Sequence, residues 1–324
     1  MTPILRRLLA LALSLSIGWP ATAAAQAYPS KPVRVLIPFP PGGATDIIGR
    51  VISQKMGEHL KQTLVVENRP GAGGTIGSDL AARAAPDGYT LLISTNSTHA
   101  VAAVIGKPPY DPLKDFTPIT LLTTSANVLV VSPQAGVASL KELIAAAKAK
   151  PGTMSFASSG PGTIIHLTGE LLKSMAGIDI VHVPYKGTAL SIPDLAAGRV
   201  TMLFDNIVSA QPHLRSGAVK PLAVTTVKRS ALMPELPTMA EAGLPGFESS
   251  AWFGLFAPAG LPPALQARLH EAALAALQAA DARERLLAAG AEPAGGSGAE
   301  LAALIRADIA KWGEVVKRAG IKVD

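Results

Sequence analysis

Short apolar runs alternate with helical spacing along most of this chain. Residues 33–38 form one such run, closed by the Gly42-Gly43 turn, and predict a strand. Beyond the turn the spacing lengthens. Ile47, Ile48, Val51, Ile52 and Met56 fall on one face of a helix predicted over 47–60. Strand patterns follow at 64–66 and 90–94, with a helix over 75–84 between them. This β-α-β-α-β order predicts a parallel sheet with helices on its faces, because parallel neighbours need a crossover connection.

The pattern then changes. Pro108, Pro109, Pro112 and Pro118 make residues 105–118 a loop. Two strands are predicted next, at 119–122 and 128–132. Ser139 to Glu142 form a capping box that opens a helix ending at Lys148. Strands at 154–157, 180–183 and 201–204 then alternate with helices at 163–175 and 189–197, a second α/β unit. A strand at 222–226 precedes a Pro/Gly-rich stretch over 233–247 and another strand at 251–257. The tail reads as helical, with Pro263 in a first turn and a second capping box from Ser297 to Glu300. Leu301, Leu304, Ile305, Ile309, Trp312 and Val316 make one stripe, read as core packing. The departure and return of the pattern predict an α/β protein with two lobes, residues 28–125 plus 227–324 and residues 126–226, and a ligand cleft between them.

The N-terminus carries its own signal. Arg6 and Arg7, an apolar run over 8–17 and small residues over 21–25 predict a signal peptide over 1–27, cleaved after Ala25 or Ala27. The run is shorter than the ~20 residues a membrane span needs. Without any cysteine, thiolate catalysis, cysteine metal sites and a lipidated cysteine are excluded. The formal charge of +6 is dispersed, and aromatic residues make up only 4% of the chain, which argues against a nucleic-acid surface.

Three loops bear on chemistry. The first, Pro38-Phe39-Pro40-Pro41-Gly42-Gly43-Ala44-Thr45-Asp46, joins a strand to a helix. The second, Ser158-Ser159-Gly160-Pro161-Gly162-Thr163, repeats that design in the second unit. A helix start offers unpaired N–H groups and a partial positive charge, so each loop suits an anion. The competing reading is a pair of ordinary glycine-rich connections, with Thr45 or Asp46 merely capping its helix. Neither loop contains Arg or Lys, so a carboxylate would be held by N–H groups and hydroxyls. Asp46 then either caps its own helix or receives an ammonium from an amino-acid ligand. The third loop, residues 67–77, places Gly71, Gly73 and Gly77 one residue out of the dinucleotide spacing, and nucleotide binding is not expected. No G-x-S-x-G or H-E-x-x-H occurs. His166 and Glu170 share a helix face, and Lys186 stands in a turn.

Several stretches together resemble one family. They are Tyr28-Pro29-Ser30-Lys31-Pro32-Val33-Arg34, Pro41-Gly42-Gly43 with Asp46, and Glu67-Asn68-Arg69-Pro70-Gly71-Ala72-Gly73-Gly74. Pro86-Asp87-Gly88-Tyr89-Thr90-Leu91-Leu92, His182-Val183-Pro184-Tyr185-Lys186-Gly187 and Leu236-Pro237-Thr238 with Glu241-Ala242-Gly243 continue the match. The chain thereby resembles the Bug-type receptors, the extracytoplasmic binding subunits of tripartite tricarboxylate transporters. Only Pro193, in Ser191-Ile192-Pro193-Asp194, departs from the pattern.

The resemblance implies a two-lobed periplasmic-binding-protein (Venus-flytrap) fold, a periplasmic location and no catalysis. It also implies that Pro41, Gly42, Gly43, Ala44, Thr45 and Asp46 grip a ligand carboxylate together with Ser158, Ser159, Gly160, Gly162 and Thr163, partly through water. Phe39, Thr95, Asn96, Ser97, Tyr185 and Asp205 would line the cleft, and His166 fits the pattern. The expected ligand is a small organic acid: a di- or tricarboxylate, an aromatic acid or an acidic amino acid. The expected partners are integral-membrane transporter subunits, with no metal, cofactor or nucleic acid, and the receptor is expected to be a monomer. A secreted hydrolase or lyase using Lys186, His166 or Asp205 is the rival reading.

Overall fold

The computed structural model describes residues 28–319, so the signal peptide predicted over 1–27 lies outside the described residues. Strands β1 (Val33–Ile37), β2 (Leu64–Asn68) and β3 (Thr90–Thr95) pair in parallel. Helix α1 (Ala44–Leu60) joins β1 to β2, and α2 (Thr75–Ala82), entered through a 3-10 turn, joins β2 to β3. The first sheet is covered on both faces, which explains its continuous apolar runs. Val35, Leu91 and Leu255 pack with Ile48 and Ile52 on one side. Their neighbours Leu36, Leu92 and Phe256 pack with Leu301 and Ile305 on the other. Successive strand residues point to opposite faces, so one run serves both layers.

After β3 the chain winds through a single π-helical turn, Ser97–Val101, into α3 (Ala102–Ile105). The sequence reading did not anticipate this segment. Strand β4 (Phe116–Val131) follows as one 16-residue element where two strands and part of a loop were predicted. Its middle, Thr123-Thr124-Ser125, breaks the apolar run without breaking the strand, and Thr123 and Ser125 are buried. β4 belongs to both sheets, so its two halves are not separate elements.

The second sheet is built on α4 (Leu140–Ala149), β5 (Ser155–Ser158), α5 (Ile164–Ala176), β6 (Val181–Pro184), α6 (Ile192–Ala196), β7 (Met202–Asn206), α7 (Ile207–Arg215) and β8 (Lys220–Val224). β5 runs parallel to β6 and β7, while β7 and β8 pair antiparallel with β4. The helix predicted over 189–197 is a 3-10 turn followed by the short α6, with Pro193 in its first turn. Helix α7 was not predicted, because Pro212 inside it reads as a helix stop.

The chain returns to the first sheet through β9 (Ser250–Pro258), antiparallel between β3 and β4. Helices α8 (Pro263–Gln278) and α9 (Ala280–Ala289) follow, then the edge strand β10 (Glu292–Gly295) and α10 (Gly298–Ala319). Pro293 and Gly295 hid β10 within an expected helical tail. The capping box before α10 is complete: Glu300 N–H donates to Ser297 Oγ at 3.2 Å, and Ser297 N–H donates to Glu300 Oε2 at 2.6 Å. α10 spans both lobes. Leu301 and Ile305 belong to the first sheet's core, while Trp312 and Val315 join the cluster that holds Phe156, Phe204 and Phe247. Among the described residues, no helix is long and apolar enough to cross a membrane.

Candidate functional site

A cavity opens where the carboxyl ends of β1, β3, β5 and β7 face one another. Ligands in α/β sheets collect at such ends, because helix starts point there. Phe39, Pro40, Gly43, Ala44 and Thr45 enter from the β1–α1 loop, and Thr95, Asn96 and Ser97 from the end of β3. Ala251 and Phe253 of β9 and Asn127 of β4 form part of the wall. The second lobe contributes Ser159, Ile164 and Ile165, then Gly187 to Ala189, and Asp205, Asn206 and Ser209.

Gly43 precedes α1 in an extended conformation and offers no side-chain cap. Its carbonyl accepts the N–H groups of Asp46 and Ile47. The N–H groups of Gly43, Ala44 and Thr45 have no partner among the described residues, and all three residues line the cavity. Asp46, 4% exposed, turns the other way. Its Oδ2 accepts the Gly42 N–H at 3.0 Å, and its Oδ1 accepts from Arg50 at 2.9 Å and Asn68 at 3.0 Å. Burial works against its charge, but hydrogen bonds from Arg50, Gly42 and Asn68 outweigh it and hold the carboxyl below its usual range. Pro41, Gly42 and Asp46 therefore shape the loop without lining the cavity.

The second loop follows the same plan. Thr163 caps α5, its Oγ1 accepting the His166 N–H at 3.3 Å and donating to the Gly160 carbonyl at 2.8 Å. The Ile164 N–H crosses the cleft to Ser97 Oγ at 3.1 Å, a direct bond between the lobes. Ile165 keeps an N–H without a partner among the described residues, and it lines the cavity. Behind the loop, His166 stacks on His182 with ring centroids 3.9 Å apart. His166 Nδ1 accepts the Gly162 N–H at 3.3 Å, and His182 Nε2 meets Ser158 Oγ at 2.6 Å. Burial first, then the neighbouring ring, pushes His166 down to about 3, and burial pushes His182 down to about 4. The pair is thus neutral at pH 7. Glu170 lies 3.9 Å from His166 Nε2, beyond hydrogen-bond reach. Tyr185 donates to Asp194 Oδ2 at 2.5 Å. Ser158, Gly160, Gly162, Thr163, His166 and Tyr185 stand behind the cavity wall.

Two glycines permit close approach of the lobes. A Cβ at Gly73, where φ is +63°, would stand 2.8 Å from the Pro161 carbonyl oxygen of the facing loop. A Cβ at Gly187 would stand 2.4 Å from Pro40 Cγ. The third glycine-rich loop is accordingly a lobe contact.

Among the described residues, no Lys, Arg or His lines the cavity, and Asp205 is the one acidic residue that does. Asp205 is 1% exposed. Its Oδ1 accepts the Asn206 N–H at 2.8 Å and the Ser209 hydroxyl at 2.7 Å. Its Oδ2 has no hydrogen-bond partner. Burial pushes its carboxyl up, against the opposing pull of Ser209, Thr188, the Asn206 N–H and His213. Among the described residues, no cluster of three or more His, Asp and Glu could hold a metal.

Sequence reasoning missed Asn127, Ile164, Ile165, residues 187–189, Asn206, Ser209, Ala251 and Phe253. Asn127 left a signal, as a lone amide at the head of the apolar run over 128–131. Ala251 and Phe253 left none, since they read as ordinary strand core.

The family model for tripartite tricarboxylate transporter family receptors matches residues 48–321. A UPF0065 protein from the tcbD-tcbE intergenic region of Pseudomonas sp. (strain P51) is 41% identical, the match covering 96% of this chain and 93% of that one. Protein BugT of Bordetella pertussis is 38% identical over 94% of each chain. An R. palustris protein solved with adipate superposes with a TM-score of 0.89 at 39% identity, covering 91% of this chain and 99% of that one. MatC from Rhodopseudomonas palustris with bound malate superposes with a TM-score of 0.86 at 37% identity, covering 89% and 100%.

Proposed function

Since this chain belongs to the tripartite tricarboxylate transporter family of receptors, we propose that it captures a small organic carboxylate between its lobes and presents it to the transporter's membrane subunits. It is a solute-binding receptor rather than an enzyme, like the family and its structural neighbours. Residues 28–125 with most of 227–319 make up one lobe and residues 126–226 the other, onto which Met239, Leu244, Phe247, Trp312 and Val315 also pack. The leader over 1–27 directs export to the periplasm, where the receptor acts as a monomer.

One observation carries the ligand class: two helix starts, one per lobe, aim N–H groups of Gly43, Ala44, Thr45 and Ile165 at a single cavity with no Lys, Arg or His among its described lining residues. A carboxylate there accepts from both lobes at once, directly or through water. Each charge-assisted bond contributes about 1.5–3 kcal/mol, and each helix end adds typically 0.3–1 kcal/mol. Closing the lobes removes water and strengthens both terms. The Ser97 to Ile164 bond and the Gly73 to Pro161 contact belong to that closed arrangement.

The groups a hydrolase or lyase would use are elsewhere or occupied. Lys186 is exposed outside the cavity, His166 is spent on Gly162, and the Ser209 hydroxyl beside Asp205 has no histidine or lysine near it, among the described residues lining the cavity, to activate it. A thermal-shift panel of di- and tricarboxylates, aromatic acids, acidic amino acids and neutral sugars tests the proposal. A bound acid at 100 times its Kd adds about 2.7 kcal/mol of stability. A shift from sugars with none from any acid would overturn it.

A further inference from the structure

Beyond the two helix starts, the cavity contains a second polar feature. Asp205 presents Oδ2 without a partner, while its Oδ1 is already saturated by Asn206 and Ser209. Asn127 Nδ2, on another cavity-lining residue, is likewise buried without a partner. Its orientation is fixed by a chain of bonds. The Val208 N–H must donate to Asn206 Oδ1, at 3.1 Å. Asn206 Nδ2 therefore faces Asn127, whose Oδ1 accepts it at 3.3 Å. That leaves Asn127 Nδ2 as a free donor. The cavity thus offers an acceptor at Asp205 and a donor at Asn127, in addition to the donors at the helix starts. Unpaired buried polar atoms are uncommon in native proteins and point to a group that completes them.

We infer that Asp205 Oδ2 shares a proton with the ligand, so that an amino acid binds in its ordinary ionic form and a dicarboxylate binds only together with one proton. The inference rests on the carboxylate-receptor reading above. A dianion would bring a second charge into a cavity without a cation, beside a buried carboxylate. One proton from bulk water, held between Asp205 Oδ2 and the ligand, removes that repulsion, and no bond of the ligand's carbon skeleton changes. An ammonium on the ligand supplies the same proton, and the same positive charge, from the outset. Burial raises the affinity of the Asp205 carboxyl for that proton. The charged groups around it are few. On α7, His213 favours its anion. At the start of α1, Asp46 is turned toward Gly42, Asn68 and Arg50. β4 and the turn Thr188–Ser191 bring only the neutral Asn127, Val128 and Thr188.

The test is calorimetric titration of the receptor with succinate, adipate, malate and 6-aminohexanoate, at pH 7.5 in buffers of different ionisation heat. Succinate, adipate and malate should take up close to one proton per site, and their affinity should fall roughly tenfold per pH unit above 7.5. 6-Aminohexanoate should take up none. Asp205→Asn retains an acceptor for Asn206 and Ser209, and should bind adipate without proton uptake while losing 6-aminohexanoate by more than tenfold. Proton-free binding of adipate to the wild type, or unchanged uptake in Asp205→Asn, would overturn the inference and leave the receptor reading intact. Failure of all four acids to bind would overturn both.

Discussion

Gly43→Pro tests the helix-start account with one atom. Gly43 has φ −78° and ψ 166°, within the range proline adopts. Its N–H has no partner among the described residues, so no protein hydrogen bond is lost. Added Cβ density at this position would lie 3.7 Å from the Pro40 carbonyl oxygen, an ordinary contact. The residue before it, which proline restricts, is itself a glycine with wide latitude. Folding should therefore survive, with a change in stability of about 1 kcal/mol or less. Binding should not. Losing one charge-assisted donor of about 1.5–3 kcal/mol weakens every carboxylate ligand roughly 10- to 150-fold. Gly43→Ala keeps the N–H and should bind like the wild type. Calorimetry with matched thermal melts reads both effects. If Gly43→Pro melts normally and binds with unchanged Kd, the helix start does not hold the ligand.

Asp46→Asn should lower stability by about 1–3 kcal/mol at pH 7 and weaken all acids alike, with no selective loss of amino acids. The folded Asp46 carboxyl lies below its ordinary 3.8, so its stabilisation is present above that value and disappears as pH falls through the folded one; melts of variant and wild type should converge there. The histidine pair acts in a different window. Its folded values near 3 and 4 lie below the ordinary 6.5, so the unfolded chain takes up protons first and wild-type stability falls as pH drops from about 6.5 toward 4; His182→Gln should flatten that slope in thermal melts, and a flat wild-type profile would contradict neutral burial of the pair. Trp312→Ala, which opens the junction of α10 with the second lobe, should cost about 3–5 kcal/mol by denaturant titration, and a loss under 1 kcal/mol would mean that α10 does not fasten the lobes.

Much of the fold was legible because apolar spacing carries it. β1, α1, β5 and α5 appear within a few residues of their predicted bounds. The failures share a cause: tertiary context overrode a local break. Thr123 to Ser125 interrupt the apolar run of β4, yet the strand continues because β9 pairs along it. Pro212 lies inside α7 and Pro293 inside β10, and both elements tolerate a residue that local preference disfavours there. At the site, the two Gly/Ser loops could be read from strand-to-helix punctuation. The chain does not reveal which of their atoms face the cavity. Asp46 and Thr45 are adjacent, yet one braces the loop and the other lines the cleft. That division depends on Arg50 and Asn68, a turn of helix and a strand away. Asn127 and Asp205 became a pair of unpaired groups only through the register of β4 against β7, which no local pattern encodes.

The central claim concerns four backbone amides, and nuclear magnetic resonance can watch them directly. In a titration of labelled receptor with a carboxylate that stabilises it, the Gly43, Ala44, Thr45 and Ile165 N–H resonances should shift downfield together and saturate at one equivalent, as N–H groups do on bonding to an anion. If those four stay in place while binding is registered elsewhere in the protein, the carboxylate is not held at the two helix starts.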